Sequence, residues 1–274
     1  MENSIRAEEG WFVSHLFFRI DRRRWNQASA KERDSAAMRL KELIEKHRQF
    51  EHCQIHCYSI WALKADFGIL IVDPDLQRLN QLECEIGALF PAGSLLPVYS
   101  FTSMSEVSEY LSQENDYERT LTEKEKLNPD SPEFLRKMEE FRKRMRVYID
   151  ERLYPRIPPH RVFSFYPMSK RRMDQSNWFL LDFEERKRFM AGHAITGRKY
   201  GRHVKQLITG STGLDDWEWG VTLFADDPFY LKKIVYEMRY DEASARYAEF
   251  GAFFVGIQLE VAQLLERLRL DTGD

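Results

Sequence analysis

Cysteine is scarce, with three in 274 residues. That count excludes a disulfide framework and fits reduced thiols in a cytoplasmic setting. No apolar stretch approaches the roughly 20 residues that a membrane-spanning helix needs. The opening "MENSIRAEEGW" lacks the apolar core of a secretory leader, so neither a span nor a leader is expected. An excess of one charge is missing too. Lys and Arg number 41 against 44 Asp and Glu, a formal net charge of -3, which argues against nucleic acid as the main partner. What is present is 43% hydrophobic residues, enough for a core in one large domain or two modest ones. Aromatic residues make up 14%, enough to line a pocket around a flat ligand.

Periodicity predicts an ordered series of elements. Residues 11–19 read as a strand and 29–49 as a helix with Ala37, Leu40, Leu43 and Ile44 on one face. "CQIHCYSIWAL" and "FGILIVD" read as a hairpin. A helix with Leu79, Leu82 and Ile86 follows, then the strand "LLPVYSFTSM" and a short helix "SEVSEYLS". Residues 113–150 are strongly charged and mostly helical, a solvated connector with "NPDSP" as a break. The second half repeats the order: strand "RVFSFYPMS", helix 182–200, strands "HVKQLITGS" and "DWEWGVTLFA", a helix from Asp227 to Tyr247, strand "FGAFFVGIQL" and a last helix. The fold class expected is α+β, with two ferredoxin-like β-α-β-β-α-β units forming a dimeric α+β barrel. The units would be 1–112 and 151–274, joined by the connector 113–150.

Three stretches carry candidate chemistry. In "RFMAGHAITGRKY", Asp182 caps a helix, Glu185 follows three residues on, and Gly197 reads as a stop. Phe189, Met190 and His193 share one face of it, so His193 points to an interior or a pocket. From this stretch alone, a satisfied core histidine and a metal ligand both remain open. In "VFSFYPMSK", alternation puts Val162, Ser164, Tyr166, Met168 and Lys170 on one side and Phe163 and Phe165 on the other, with Pro167 disturbing the end. In "HVKQLITG", Gln206 is the single amide between Val204 and Ile208. A neutral histidine beside aromatic and basic groups suits a haem-like ring bearing carboxylates. "EHCQIHC" imitates a zinc site, but a strand puts Cys53 and Cys57 opposite His52 and His56, so the four do not converge. "DRRRW" reads as the solvated end of the first strand, and Tyr200 and Trp219 read as packing residues.

The blocks "YPMSKRR", "MAGHAITGRKYGRHVKQLITGSTGLDDWEWGVTLFADD" and "YEMRYDEASARYAEFGAFFVG" resemble the chlorite dismutase family. The resemblance is dense over residues 150–256, looser before them, and nearest to the Firmicutes-type branch of coproheme decarboxylases. It implies His193 as axial ligand of a porphyrin iron and Tyr166 as the redox-active residue. It implies Lys170, Arg152 and Ser244 as carboxylate contacts, Arg239 as a further basic contact, and Pro167, Met168 and Ser169 as part of the binding strand. Gln206 stands where chlorite-degrading members carry arginine. The activity implied is peroxide-dependent decarboxylation of two propionates of iron-coproporphyrin III (coproheme), which is both substrate and redox centre, giving haem b. A homopentamer and a coproporphyrin ferrochelatase partner are implied as well. The rivals are a chlorite-degrading enzyme on the same fold and a non-catalytic haem carrier or sensor. Gln206 counts against the first and an oxidisable Tyr166 against the second.

Overall fold

Helix starts follow local chemistry closely. Ser29 and Glu32 form a reciprocal capping box, and Asp75, Ser131, Asp182, Asp227 and Asp241 each accept a backbone N–H of the first turn. The computed structural model describes residues 4–270. The first half runs β1 (Phe12–Ile20), α1 (Arg22–Gln27), α2 (Ala30–Arg48), β2 (Gln54–Ile60), β3 (Phe67–Asp73), α3 (Leu76–Leu89) and β4 (Leu95–Ser105). The middle holds α4 (Glu114–Arg119), a π-helical turn (Thr120–Lys124) and α5 (Pro132–Leu153). The second half runs β5 (Val162–Lys170), the small hairpin β6 (Arg172–Met173) and β7 (Ser176–Asn177), α6 (Phe183–Arg198), β8 (Lys205–Gly210) and β9 (Trp219–Ala225). It ends with α7 (Pro228–Met238), α8 (Glu242–Tyr247), β10 (Ala248–Phe250), β11 (Phe254–Leu259) and α9 (Val261–Arg267).

The strands join in the order β10-β5-β11-β2-β3-β1-β4-β8-β9, and β5 also pairs with β9. Eight strands therefore close into a ring, with β10 attached outside it. The seams between the halves are β11–β2, over four residue pairs, and β4–β8, over two. Inside the ring, alternate residues of both halves meet in an aromatic core that includes Phe17, Tyr58, Phe101, Phe163, Phe165 and Phe254. Phe17 stacks on Phe254 with ring centroids 4.0 Å apart, and Tyr58 lies 3.8 Å from Phe163. Burying each such ring contributes roughly 1.5–3 kcal/mol. His15 is embedded there, stacked on Phe165 at 4.0 Å, with Nε2 at 2.8 Å from Thr222 Oγ1. Burial lowers its pKa to about 3, so it is neutral. Outside the ring, α2, α3 and α9 cover the first-half strands through Leu40, Ile44, Leu79, Ile86 and Leu264. There Arg78 grips the buried Asp73 with two hydrogen bonds of 2.6 and 2.7 Å.

Several expectations change. "DRRRW" is no solvated strand end, because Asp21 caps α1 and Trp25 turns into the core, tilted against Phe90 at 5.9 Å. "SEVSEYLS" forms no helix, and its Tyr110 instead stacks on Phe183. The helix foreseen from Asp227 to Tyr247 breaks into α7 and α8, and the strand after it into β10 and β11. Pro167 does not end β5: it lies where β5 passes from β11 to β10, so its missing N–H costs no ladder bond there. Gly197 does not stop α6, which runs through Arg198. Of the zinc-like motif, Cys53 and Cys57 pack into the core, His52 stacks on Trp11, and His56 meets Gln258.

Candidate functional site

The outer face of β5 and helix α6 together position most of the candidate residues. Tyr166 is 4% exposed and packs with Val221, Leu231 and Ile234, on the side opposite Phe163 and Phe165. Its ring stacks on Phe253 at 4.3 Å and tilts against Phe250 at 5.8 Å. Burial pushes the hydroxyl well above the usual phenol range, and Arg239 only partly opposes this, so Tyr166 keeps its proton at neutral pH. The Arg239 guanidinium lies 4.9 Å over the Phe250 ring, on the ring that also borders Tyr166. Four residues on, Lys170 is 8% exposed with Nζ 4.2 Å above the Trp178 ring. Burial lowers its pKa to about 8, while Asp241 and Glu218 act in the other direction. Met168 is half-buried on the Tyr166 side. Pro167 and Ser169 fall between, on the other side of the strand. Pro167 meets Gly251, and Ser169 Oγ accepts the Glu218 N–H at 3.2 Å.

His193 is not a core residue; its side chain is 30% exposed. Nδ1 lies 2.9 Å from Asp241 Oδ2 and 3.4 Å from Ser244 Oγ. A carboxylate only accepts, so Nδ1 carries a proton, and in the neutral ring the lone pair is then on Nε2. Burial raises the Asp241 pKa, but the bonds from His193 and Ser244 outweigh it and hold the carboxyl below its usual range. Ser244 Oγ donates to the same Oδ2 at 3.1 Å, and its backbone N–H donates to Oδ1 at 2.9 Å. Ser244 is thus placed in the histidine cluster, with its hydroxyl engaged by Asp241.

Gln206 and Arg152 stand elsewhere. Both line a cleft of 630 Å³ between the end of α5, the Tyr154–Pro158 turn and β8. Because α5 extends to Leu153, Arg152 sits on the last turn of the connector helix, and its buried Nε finds no partner among the described residues. Tyr166, Lys170 and His193 do not line this cleft. Gln206 links the two regions: a Cβ on Gly197 would lie 3.4 Å from its Nε2 and 3.0 Å from Met238 Cε. The absent side chain at Gly197 serves this close packing of α6 on the sheet. Sequence reasoning missed Asp241, Trp178 and Phe253. The D-x-x-S spacing of Asp241 and Ser244 marks a helix cap, but nothing in it names a histidine 48 residues away.

The donor set fits a carboxylate-bearing porphyrin iron. One imidazole nitrogen is fixed by a carboxylate and the other is left for metal. Lys170 has no ion-pair partner among the described residues and is free to meet a carboxylate; the orphaned Nε of Arg152 offers a cation in the separate cleft with Gln206. A model of the family described as chlorite dismutase matches residues 33–259. The chain belongs to the chlorite dismutase family. Within that family it is 38% identical over 262 residues to the coproheme decarboxylase of Staphylococcus carnosus (strain TM300), covering 93% of this chain and 94% of that one. A haem-binding protein from Thermus thermophilus superposes with a TM-score of 0.77 at 40% identity, covering 96% of this chain and 95% of that one. A variant chlorite dismutase from Candidatus Nitrospira defluvii shares the fold, with a TM-score of 0.71 at 17% identity over 95% of this chain and 96% of that one. Among the described residues no helix is long and apolar enough to cross a membrane.

Proposed function

We propose that this chain is a coproheme decarboxylase, converting iron-coproporphyrin III to haem b with hydrogen peroxide. The observation that carries the reading is the outer face of β5. It carries a buried, protonated Tyr166 and, four residues on, a buried Lys170 with no salt-bridge partner among the described residues; on α6 the Nδ1–H of His193 is held by Asp241, a carboxylate that also acts on Lys170. The similarity to the Staphylococcus enzyme supports the same reaction.

The bound porphyrin iron would supply, with peroxide, the two oxidising equivalents that each propionate needs. His193 would hold the iron through Nε2, with Asp241 raising its donor strength. Tyr166 Oη would give up a hydrogen atom and regain one from a propionate, and the resulting propionate radical would yield a second electron to the oxidised porphyrin as it loses CO2 and becomes vinyl. Each propionic acid group consumes one peroxide and yields one CO2 and two waters. Lys170, Arg152, Arg239 and Ser244 would orient carboxylates, and Pro167, Met168 and Ser169 would form the wall of the binding strand. Gln206, a neutral amide, would offer the distal side hydrogen bonds but no general base. In this reading the half 151–274 binds the porphyrin, 1–112 completes the fold and 113–150 connects them. The assembly would be a cytoplasmic homopentamer supplied by coproporphyrin ferrochelatase.

The test is Tyr166→Phe loaded with iron-coproporphyrin III. The change removes one hydroxyl, at most a hydrogen bond of about 0.5–1.5 kcal/mol. Binding should stay near wild type, while peroxide should yield no haem b by product mass. Conversion at the wild-type rate would overturn the role of Tyr166, and vigorous oxygen evolution from chlorite by wild type would favour the chlorite-degrading activity.

A further inference from the structure

The site holds a second oxidisable ring. Trp178 is 2% exposed and lies directly beneath Lys170 Nζ. Tyr166 and Lys170 are four residues apart on one strand face, about 13 Å along it, so the indole stands within one-electron transfer distance of Tyr166. The two rings have different neighbours. Tyr166 is walled by Phe253 and Phe250, rings that a tyrosyl radical does not oxidise. Trp178 adjoins Tyr247 at 5.4 Å and Tyr110 at 6.3 Å, both oxidisable. Tyr110 is half-buried; its hydroxyl accepts from Arg186 Nε at 3.1 Å and also faces Glu109. The line Trp178–Tyr110 therefore leads outward from the candidate site. At its head stands an ammonium that no salt bridge engages among the described residues.

We infer that the Lys170 ammonium guards Trp178 against one-electron oxidation and so confines the oxidising equivalent to Tyr166. The inference rests on the peroxide-driven function proposed above. A cation over an indole face favours the neutral ring through its quadrupole and opposes a positive charge forming on it. The step it blocks is balanced. Trp178 would lose one electron, and the Tyr166 phenoxyl would take that electron with one proton from water and return to phenol. The indole cation would then draw an electron from Tyr110, whose proton would pass to Glu109. One oxidising equivalent from peroxide would end on the protein instead of on a propionate.

The test uses the full chain without porphyrin. Photogenerated tris(bipyridine)ruthenium(III) supplies the one-electron oxidant, and peptide mass mapping reads oxidation at Trp178 and Tyr110. Lys170→Met keeps the stem and deletes the charge, and should raise oxidation at Trp178 several-fold over wild type. Lys170→Arg keeps the charge and should stay at the wild-type level. In protein loaded with iron-coproporphyrin III, peroxide should give the Met variant a tryptophan- or Tyr110-centred radical by freeze-quench electron paramagnetic resonance. The double variant Lys170→Met/Trp178→Phe should lose that signal. Equal oxidation of Trp178 in wild type and Lys170→Met, or an Arg variant that oxidises like the Met variant, overturns the guard. The ruthenium measurement needs no porphyrin, so its failure is distinct from failure of the proposed function, which would show as wild-type protein that makes no haem b.

Discussion

Asp241→Asn offers a sharp test of how the histidine is held. In the wild type Oδ1 caps α8 by accepting the Ser244 N–H at 2.9 Å, while Oδ2 accepts from His193 Nδ1 at 2.9 Å. An asparagine has one oxygen to place. If it keeps the cap, its NH2 faces Nδ1, two donors meet, and the imidazole must move its proton to Nε2, the atom needed for iron. If it turns its oxygen to His193, the cap is lost, at about 1 kcal/mol. Removing such a partner of a ligating histidine typically lowers metal affinity 10–100-fold, which is about 1.4–2.8 kcal/mol. Titration with iron-coproporphyrin III should show that loss, with a lower Fe–N(His) stretching frequency by resonance Raman. Asp241→Ala should add a fall in stability of about 1 kcal/mol by urea unfolding, since it removes the cap outright. The pH sign follows from the depressed carboxyl. Its folded pKa lies below its unfolded value, so its stabilisation is present above the unfolded pKa and is lost as pH falls through the folded one. Wild-type affinity and an unchanged stretch in Asp241→Asn would refute the assignment of both Asp241 and His193.

Two further outcomes are expected. His15 is neutral in the fold with a pKa of about 3, against about 6.5 unfolded, so stability should drop as pH falls from 6.5 towards 3. Its share at pH 4.5 is on the order of 2–3 kcal/mol, and urea melts at pH 7 and 4.5 should show a smaller difference in His15→Leu than in wild type. Arg78→Met removes one partner of the buried Asp73 pair and should cost about 3–5 kcal/mol, read as a lower urea midpoint with unchanged slope.

The sequence exposed whatever depends on local period. Alternation along β5 separated Phe163 and Phe165 from Tyr166 and Lys170, and the cap at Asp182 located the histidine helix. Segments where local chemistry and tertiary packing disagree were not legible. Three arginines before Trp25 read as solvent-facing, yet the indole is drawn into the core beside Phe90. "SEVSEYLS" has helical composition, but Tyr110 gains more from stacking on Phe183. Gly197 reads as a stop because glycine ends helices, whereas here its bareness admits Gln206 and Met238. Partners distant in sequence left no periodic trace, so the Asp241 contact to His193 and the β5–β9 closure emerged only in three dimensions.

The seams of the ring bear on what a broken chain would do. Cut between α4 and α5, each piece would carry four contiguous strands with two bare edges and half of the aromatic interior turned to water. Neither piece keeps the ring interior whole, because Phe17 and Phe101 come from one and Phe163, Phe165 and Phe254 from the other. Such fragments are natural complements: each supplies the edges the other lacks, and hydrogen bonds along β11–β2 and β4–β8 would set their register on reassembly. Nicking the charged middle segment should therefore leave two polypeptides that migrate as one particle until denatured.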